Sequence, residues 1–416
     1  MATVYQEYGF TDLHTFARDS EKTVMGGAGV LVTVAADEPA FEWSSAGSRL
    51  GITINQESVN LAPTPNDPHL VLTGSVGGTL TADQSLAPGG TTSMARMALD
   101  TSSAGHYVSR NNWTVAVAGD TLCISTCVKV SGINVMWLRI LDWAELTSYI
   151  EARFDFQTGV LIGVSAGGDG SVISGFIEPM GGGVYRIGVS GIPSVGSTGA
   201  IHPRLIAASP AGTALNWTPI GTEYFDYGLI NLTRDRIMTP IILDPDALTV
   251  RKADVMQHPL PGNGFSAIQG TLYVQARILA AAPPAANCTL LRIDDGTDDN
   301  LFLIHVPAGT LTIEAVVRSG GVDVFRQTLG TYIAKSIVTV ALGYVADYVS
   351  ASMNGLPAKT VTSGSMPSGP TRFLIGCADD DGSHSLNGTV YDVINLLERT
   401  FATDLPALSA GNYQFT

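Results

Sequence analysis

Apolar and polar residues alternate in short runs along most of this chain, a pattern typical of half-buried β-strands. Residues 270–277 (GTLYVQAR) alternate without a break, and similar runs occupy 122–130, 184–189 and 203–208. Glycine and proline separate these runs, as tight turns require. No window longer than about ten residues has apolar positions at helical spacing. The pattern predicts an all-β chain.

The runs divide the chain into three parts. Residues 1–62 carry few large apolar side chains, so we expect an extended N-terminal segment with no core of its own. Three prolines within residues 63–68 interrupt regular pairing and predict a linker. Residues 63–250 and 251–416 then each have enough strands for an antiparallel β-sandwich.

Two neighbouring runs of the middle part predict a polar and aromatic sheet face. In 134–143 the even positions Met136, Leu138 and Ile140 suit a core, and 149–156 places Ile150 and Phe154 likewise. The opposite face then carries Trp137, Arg139, Trp143, Tyr149, Glu151 and Arg153. Aromatic rings stack on the apolar faces of sugars, and charged groups bind their hydroxyls, so this face is a candidate sugar site. The alternative is a face covered by a neighbouring subunit or by the N-terminal segment.

The net charge of the chain excludes some classes of binding partner. Asp and Glu outnumber Lys and Arg by 37 to 22, a net charge of -15. So acidic a chain repels phosphate backbones, and nucleic-acid binding is not expected. No apolar run approaches the roughly 20 residues of a membrane span. The N-terminus lacks the basic start and apolar middle of a secretory signal, so we expect synthesis in a cytoplasm without signal-directed export.

Catalytic chemistry is not indicated. The seven histidines are dispersed, and none lies in a Ser/His/Asp or metal-binding motif. Two carboxylates facing one cleft would suit a glycosidase, but the pattern places no such pair. We therefore expect a protein that is not an enzyme.

Two loops, 294–300 and 379–381, are rich in oxygen ligands, and the first is the better candidate for a cation. Residues 294–300 (DDGTDDN) present Asp294, Asp295, Asp298 and Asp299, which makes calcium a candidate cofactor. The loop lacks the spacing and the closing glutamate of an EF-hand. The alternative interpretation is a solvated hairpin tip, because Asp and Gly are ordinary turn residues.

The C-terminal strands resemble a known fold. Residues 372–377 (RFLIGC), the polar loop 378–385 and the strand 386–394 (LNGTVYDVI) resemble the closing strands of concanavalin A-like (laminin-G-like) jelly rolls. Some members of that group hold calcium at a comparable edge. The resemblance implies a jelly roll over residues 251–416.

The N-terminal segment resembles that of bacteriophage and gene-transfer-agent virion proteins of the head-spike or tail-fibre kind. The matching positions are Phe16, Arg18, Ser20, Pro39, Phe41, Glu42, Gly47, Leu50, Gly51, Ile52, Ile54, Asn60 and Leu61. Residues 56–58 (QES) depart from the acidic and arginine residues usual there. In those proteins the segment wraps or anchors. The resemblance implies a virion-anchoring role for Phe16, Arg18, Phe41, Leu50, Ile52 and Asn60.

The middle part resembles the carbohydrate-binding-like jelly roll of the same virion proteins. Residues 152–160 (ARFDFQTGV) and 183–188 (GVYRIG) carry this similarity, with Val184 in place of the usual tryptophan. The resemblance implies a head-spike or tail-fibre component that binds host surface polysaccharide. Its expected partners are other virion proteins (capsid, portal, tail or fibre) and further copies of itself, a trimer being common among such fibres. The alternatives are a scaffold that carries a separate receptor-binding protein and, third, a secreted polysaccharide-degrading enzyme.

Overall fold

The computed structural model describes residues 15–27, 31–43, 47–62, 67–88, 90, 93–114, 119–196, 199–242, 250–260 and 265–411. Residues 63–66 of the expected linker lie outside these ranges. Strands dominate the described residues, and their two helices are short: α1 (Pro68–Val71) and α2 (Leu405–Ser409). No helix in these ranges is long and apolar enough to cross a membrane. The all-β prediction is confirmed.

Strands of the first part are short, and most of those of the middle part are longer. The first part contains β1 (Thr15–Ala17), β2 (Lys22–Met25), β3 (Leu31–Val34), β4 (Phe41–Trp43), β5 (Arg49–Ile54) and β6 (Ser58–Val59). The middle part contains β7 (Gly74–Val76), β8 (Gly78–Leu86), β9 (Ser93–Leu99), β10 (Ala104–Ser109), β11 (Trp113–Thr114), β12 (Leu122–Ser131), β13 (Val135–Asp142), β14 (Tyr149–Asp155), β15 (Val160–Gly167), β16 (Ser171–Gly181), β17 (Val184–Ile192), β18 (Ala200–Ala207), β19 (Asn216–Trp217) and β20 (Tyr224–Thr233).

The middle strands form a β-sandwich. One sheet has the order β15-β14-β13-β18-β10-β19, with β11 beside β18 and β7 beside β10. The facing sheet has the order β16-β17-β12-β20-β9-β8. Met136, Ile150 and Phe154 from the first sheet meet Ile124 and Tyr227 from the second in one fully buried core. The predicted core positions of the two central runs are therefore confirmed.

Most of the remaining strands build a second sandwich. The exception is β21 (Val250–Arg251), which pairs with β6 in a separate two-stranded sheet. The sandwich strands are β22 (Val255–Pro259), β23 (Gln269–Ile278), β24 (Cys288–Asp294), β25 (Leu301–Val306), β26 (Thr312–Ser319), β27 (Val322–Thr331), β28 (Ile337–Val345), β29 (Tyr348–Met353), β30 (Lys359–Val361), β31 (Arg372–Ile375) and β32 (Gly388–Leu396). Its sheets have the orders β1-β22-β31-β24-β25-β26-β27 and β30-β29-β28-β23-β32-β5-β4. Their facing apolar side chains form a separate core.

Strands from the N-terminal segment lie at one edge of each C-terminal sheet. Phe16 of β1 pairs with Met256 of β22, and Ile52 of β5 pairs with Val390 of β32. Ile52 and its neighbour Ile54 are buried in the C-terminal core. The segment therefore contributes side chains to the core of another part of the chain and pairs edges that would otherwise be open.

The hairpin of β2 and β3 lies against the middle sandwich instead. Its Met25 and Leu31 pack on a small apolar cluster that includes Met94, Cys127 and Leu229. These three come from β9, β12 and β20, on the side of the sheet that faces away from the main core. The hairpin thus covers the outer face of one of the two middle sheets.

A buried group of charges connects the N-terminal segment to the rest of the chain. Asp254, just before β22, is fully buried, and its carboxylate pairs with Arg18 Nη1 at 3.1 Å and with Lys22 Nζ. The same carboxylate accepts the backbone N–H of Asn55 at 2.8 Å. Arg18 also donates to the carbonyl of Ala35 at 2.6 Å. The Asp254 carboxylate therefore contacts three residues of the segment directly and is linked to a fourth, Ala35, through Arg18.

Replacing this carboxylate is expected to destabilise the protein strongly. Asp254→Asn keeps the shape but leaves Arg18, and also Lys22 when it is protonated, buried without a counter-charge, a loss that typically costs about 3–5 kcal/mol. Asp19→Asn, an exposed change in the same segment, serves as the control and should change the free energy of unfolding by less than about 0.5 kcal/mol. Equal midpoints in urea for both variants would contradict the assigned role.

Lys22 predicts a pH dependence. Burial lowers the pKa of its ammonium from 10.5 to about 7, whereas the unfolded chain keeps the ordinary value. Between these values the unfolded state holds a proton that the folded state has lost, so stability should rise with pH from about 7 to 10. The free energy of unfolding, measured against Lys22→Met across this range, should show that rise. A constant difference between the two proteins would refute it.

Candidate functional site

The other outer face of the middle sandwich presents most of the residues predicted from the sequence. Trp137, Arg139, Tyr149, Glu151 and Arg153 all project from β13 and β14 on the side opposite the core. Trp143 follows the end of β13, and its ring lies 5.4 Å from that of His202. Five of the six predicted residues therefore share one surface, and the sixth lies at its end.

Strand register arranges this face in rows. The central row runs Ser165, Glu151, Arg139, Arg204 and Ser109 across β15, β14, β13, β18 and β10. Each neighbour in the row is a direct cross-strand partner, so the side chains lie within reach of one another. We call this set the polar row.

Two further rows flank the polar row. On one side, Arg153, Trp137, Ile206 and Tyr107 are successive cross-strand partners. On the other side, the successive cross-strand partners are Tyr149, Leu141 and His202. Charged groups therefore lie between two partly aromatic rows, a combination suited to ligands with both polar and apolar surfaces.

Glu151 organises the charges at one end of the polar row. Its Oε2 accepts from Arg139 Nε at 2.6 Å, and its Oε1 accepts from the Ser165 hydroxyl at 3.1 Å. Arg153 Nε lies 3.9 Å from the same Oε1. The guanidinium of Arg139 also lies over the Tyr149 ring, with Cζ 4.3 Å from the centroid. The carboxylate holds Arg139 in a defined position on the sheet.

Trp137 is less accessible than the strand pattern suggests. It points away from the core as predicted, but only 8% of its surface is exposed. It forms a small apolar cluster with Val135, Ile206 and Ala208, so residues of its own sandwich cover most of the ring. Its Nε1 and the Nε of Arg153 are nevertheless without a hydrogen-bond partner among the described residues.

Arg204 and His202 belong to this face and were not among the predicted site residues. Arg204 Nε donates to His202 Nε2 at 3.1 Å, and its Cζ lies 4.9 Å from the centroid of the Tyr107 ring. Burial and the neighbouring Arg204 lower the pKa of His202 to about 4, so its ring is neutral and can accept this bond at pH 7. The alternation of residues within 203–208 is enough to predict that Arg204 points outward. It does not predict that Arg204 lies opposite Arg139.

The candidate calcium loop is occupied by internal contacts. Asp294 is fully buried, and its carboxylate accepts from Arg372 Nε at 2.6 Å and also from Arg292. Asp298 pairs with Arg292 at 2.9 Å, and Asp295 bonds Thr297 and Asn300. Asp299 lies in the same tip, where its carbonyl accepts from the Gly321 N–H at 2.9 Å. Among the described residues no three acidic, histidine or cysteine side chains converge as a metal site would require. These contacts favour the hairpin-tip interpretation.

The residues assigned to virion anchoring make contacts inside the chain. Arg18 and Asn60 are almost fully buried, and Asn60 Nδ2 donates to the carbonyls of Ile230 and Ile242. Ile52 is in the C-terminal core, Phe16 and Phe41 pack against that core, and Leu50 is 38% exposed. Most of these side chains therefore hold the segment on the two sandwiches. A contact with a particle stays a prediction for this set.

A separate cavity of about 140 Å³ lies between the β2–β3 hairpin and the two sandwiches. Glu42 and Arg277 form an ion pair on its wall, and Asn55 and Arg186 also line it. Asn55 Oδ1 and Arg186 Nε are buried with no hydrogen-bond partner in the described residues. The cavity is wide and polar enough for a few ordered waters.

The solved structures compared with this chain below each match only part of it. No model of a protein family matches the sequence, and no curated protein matches it either. Among solved structures, the sialyllactose-bound CBM40 domain of the Ruminococcus gnavus IT-sialidase has a TM-score of 0.29 and 16% identity, covering 34% of this chain and 83% of that one. The heptameric SAP-like pentraxin of Limulus polyphemus has a TM-score of 0.27 and 13% identity (35% of this chain, 70% of that one). A ganglioside-dependent botulinum neurotoxin type C has a TM-score of 0.31 and 9% identity (39% and 41%). Scores this low do not assign a function.

Calcium is expected to leave the protein unchanged. Two guanidinium groups already neutralise Asp294, so a cation would have to displace them. Thermal unfolding with added calcium and with a chelator should give the same Tm. A Tm that rises with calcium concentration would show that the ion binds the folded state and would revive the calcium prediction.

Proposed function

We propose that this chain is a lectin-like protein that binds polysaccharide through the outer face of β13, β14 and β18. One observation carries the proposal. Tyr149, Arg153 and Arg204 are partly exposed on a face where aromatic rings flank a row of hydrogen-bonding groups. The rings suit the apolar faces of sugars, and the charged groups suit their hydroxyls.

The face also suits binding better than catalysis. Its central carboxylate, Glu151, already bonds Arg139 and Ser165 and is almost fully buried. A glycosidase needs a second carboxylate across a cleft, and the central rows of this face supply none. Our proposal is therefore a protein that is not an enzyme.

The biological setting we propose is a virion. The sequence resemblance of the N-terminal segment to head-spike and tail-fibre proteins supports this. Other virion proteins would be the structural partners, and host surface polysaccharide the ligand. Weak contacts with sugar would add up across several copies of the chain on one particle.

A specific surface favours the alternative of a scaffold that contacts other proteins. The edge strand β15 exposes Val160, Leu161, Ile162 and Val164. An open strand edge with apolar side chains is a ready site for another chain. A homo-oligomer or a connector between virion proteins would cover it, and in that case the adjacent aromatic face would be architecture.

Binding to host cells or purified polysaccharide tests the proposal on the full-length chain. Two obvious changes would disturb the fold itself. Deleting residues 1–62 would remove Ile52 and Ile54 from the C-terminal core. Trp137→Ala would leave a cavity in a buried cluster and lower the free energy of unfolding by about 3–5 kcal/mol. The partly exposed Tyr149→Ala and Arg153→Gln avoid both problems. Each should weaken binding roughly tenfold or more with little change in Tm.

Arg326→Gln, on the C-terminal sandwich and with a 41% exposed side chain, is the matched control for lost charge. It should bind as the unaltered protein does. If both face variants also bind normally, the face is not the sugar site. If the unaltered chain binds no polysaccharide but joins particles, the scaffold alternative is correct.

A further inference from the structure

The polar row contains an unfavourable pairing that calls for an explanation. Arg139 and Arg204 are direct cross-strand partners on neighbouring antiparallel strands. Like charges in this position destabilise a sheet. Both guanidinium groups are also partly withdrawn from water, and burial lowers the pKa of Arg204, as does the charge of Arg139.

The nearby carboxylate of Glu151 pairs with Arg139 but not with Arg204. Glu151 bonds Arg139 and lies near Arg153, but no ion pair joins Arg204 to a carboxylate among the described residues. Its hydrogen bond goes to neutral His202, and a tyrosine ring packs against it. The three central rows therefore hold three guanidinium groups against one carboxylate, a local excess of positive charge in a chain of net charge -15.

We propose that the polar row binds the carboxylate of an acidic sugar, with Arg204 as the residue that selects it over neutral sugars. This rests on the proposed lectin-like function and names its ligand class. A carboxylate between Arg139 and Arg204 relieves their repulsion and accepts paired hydrogen bonds from planar guanidinium groups. The sugar ring then lies against Tyr107 or Tyr149 in the flanking rows.

The chain's overall negative charge is compatible with this ligand. At physiological ionic strength the Debye length is about 8 Å, so distant carboxylates are screened and the nearest guanidinium groups dominate. A phosphate backbone would extend beyond the row and meet the acidic surface. A carboxylated sugar of a few residues stays within it.

The experiment compares carboxylated oligosaccharides of several backbones, including oligogalacturonate, with their neutral methyl esters. Esterification removes the charge and keeps the sugar, so calorimetric titration of each pair isolates the carboxylate. The acid form should bind roughly ten- to hundredfold more tightly than its ester. Arg204→Gln should abolish that preference, Arg204→Lys should restore part of it, and Arg326→Gln should leave it intact. If Arg204→Gln lowers Tm, the acid and ester affinities are compared instead between Arg204→Lys and the unaltered protein.

The outcomes separate this inference from the proposed function. Equal binding of acids and esters, with no effect of Arg204→Gln, overturns the inference and leaves the lectin-like function standing. No binding of any carbohydrate, including host polysaccharide, overturns both. A tighter preference for sulfated than for carboxylated sugars also overturns the inference. So does loss of an oligomer in Arg204→Gln by light scattering, because a carboxylate of a second copy would then be the anion.

Discussion

The buried carboxylate of Asp254 is the constraint on which this architecture depends. It lies between the two sandwiches in sequence and pairs with two cations of the N-terminal segment, Arg18 and Lys22, while also accepting a backbone N–H. Charges without solvent are tolerated only when their partners are present and well placed. The segment therefore has one position in which its cations can be buried, and that position brings β1 and β5 to the open edges of the C-terminal sheets.

The position of the segment also determines which surfaces are free. Its β2–β3 hairpin covers the outer face of one middle sheet by packing Met25 and Leu31 on a small apolar cluster. The outer face of the opposite sheet receives no such cover from the described residues of the segment and carries aromatic and charged side chains of its own. In the described part of the chain, one outer face of this sandwich is covered and the other presents polar and aromatic groups, which suit a ligand. The proposed sugar site is on that side.

Within the site, the residues that would best stabilise the sheet differ from those that would best bind a ligand. Glu151 stabilises Arg139, and Trp137 packs against Val135 and Ile206 at the centre of the face. Arg204 adds a second positive charge opposite Arg139, and no carboxylate among the described residues pairs with it. A fold selected for stability alone would place a neutral or acidic residue there. Such local conflicts are expected where a ligand completes the interactions.

The sequence by itself determined the local features of this protein. Alternation at Met136, Leu138 and Ile140 placed the strands and their core faces, because the period of a strand needs only neighbouring residues. The same argument put Arg139, Glu151 and Arg153 on one surface, and the scarcity of large apolar residues predicted an N-terminal segment with no core of its own. Each of these conclusions depends on residues close together in the chain.

Only the tertiary structure decided what each strand pairs with. Arg204 lies opposite Arg139 because β13 and β18 are neighbours despite the sixty or so residues between them, and no local pattern encodes that choice. The same holds for Asp294, whose partner Arg372 comes from β31, and for Trp137, whose exposure depends on Ile206. Strand pairing over long sequence separations is set by the sum of core packing and buried charge, which is a property of the whole fold.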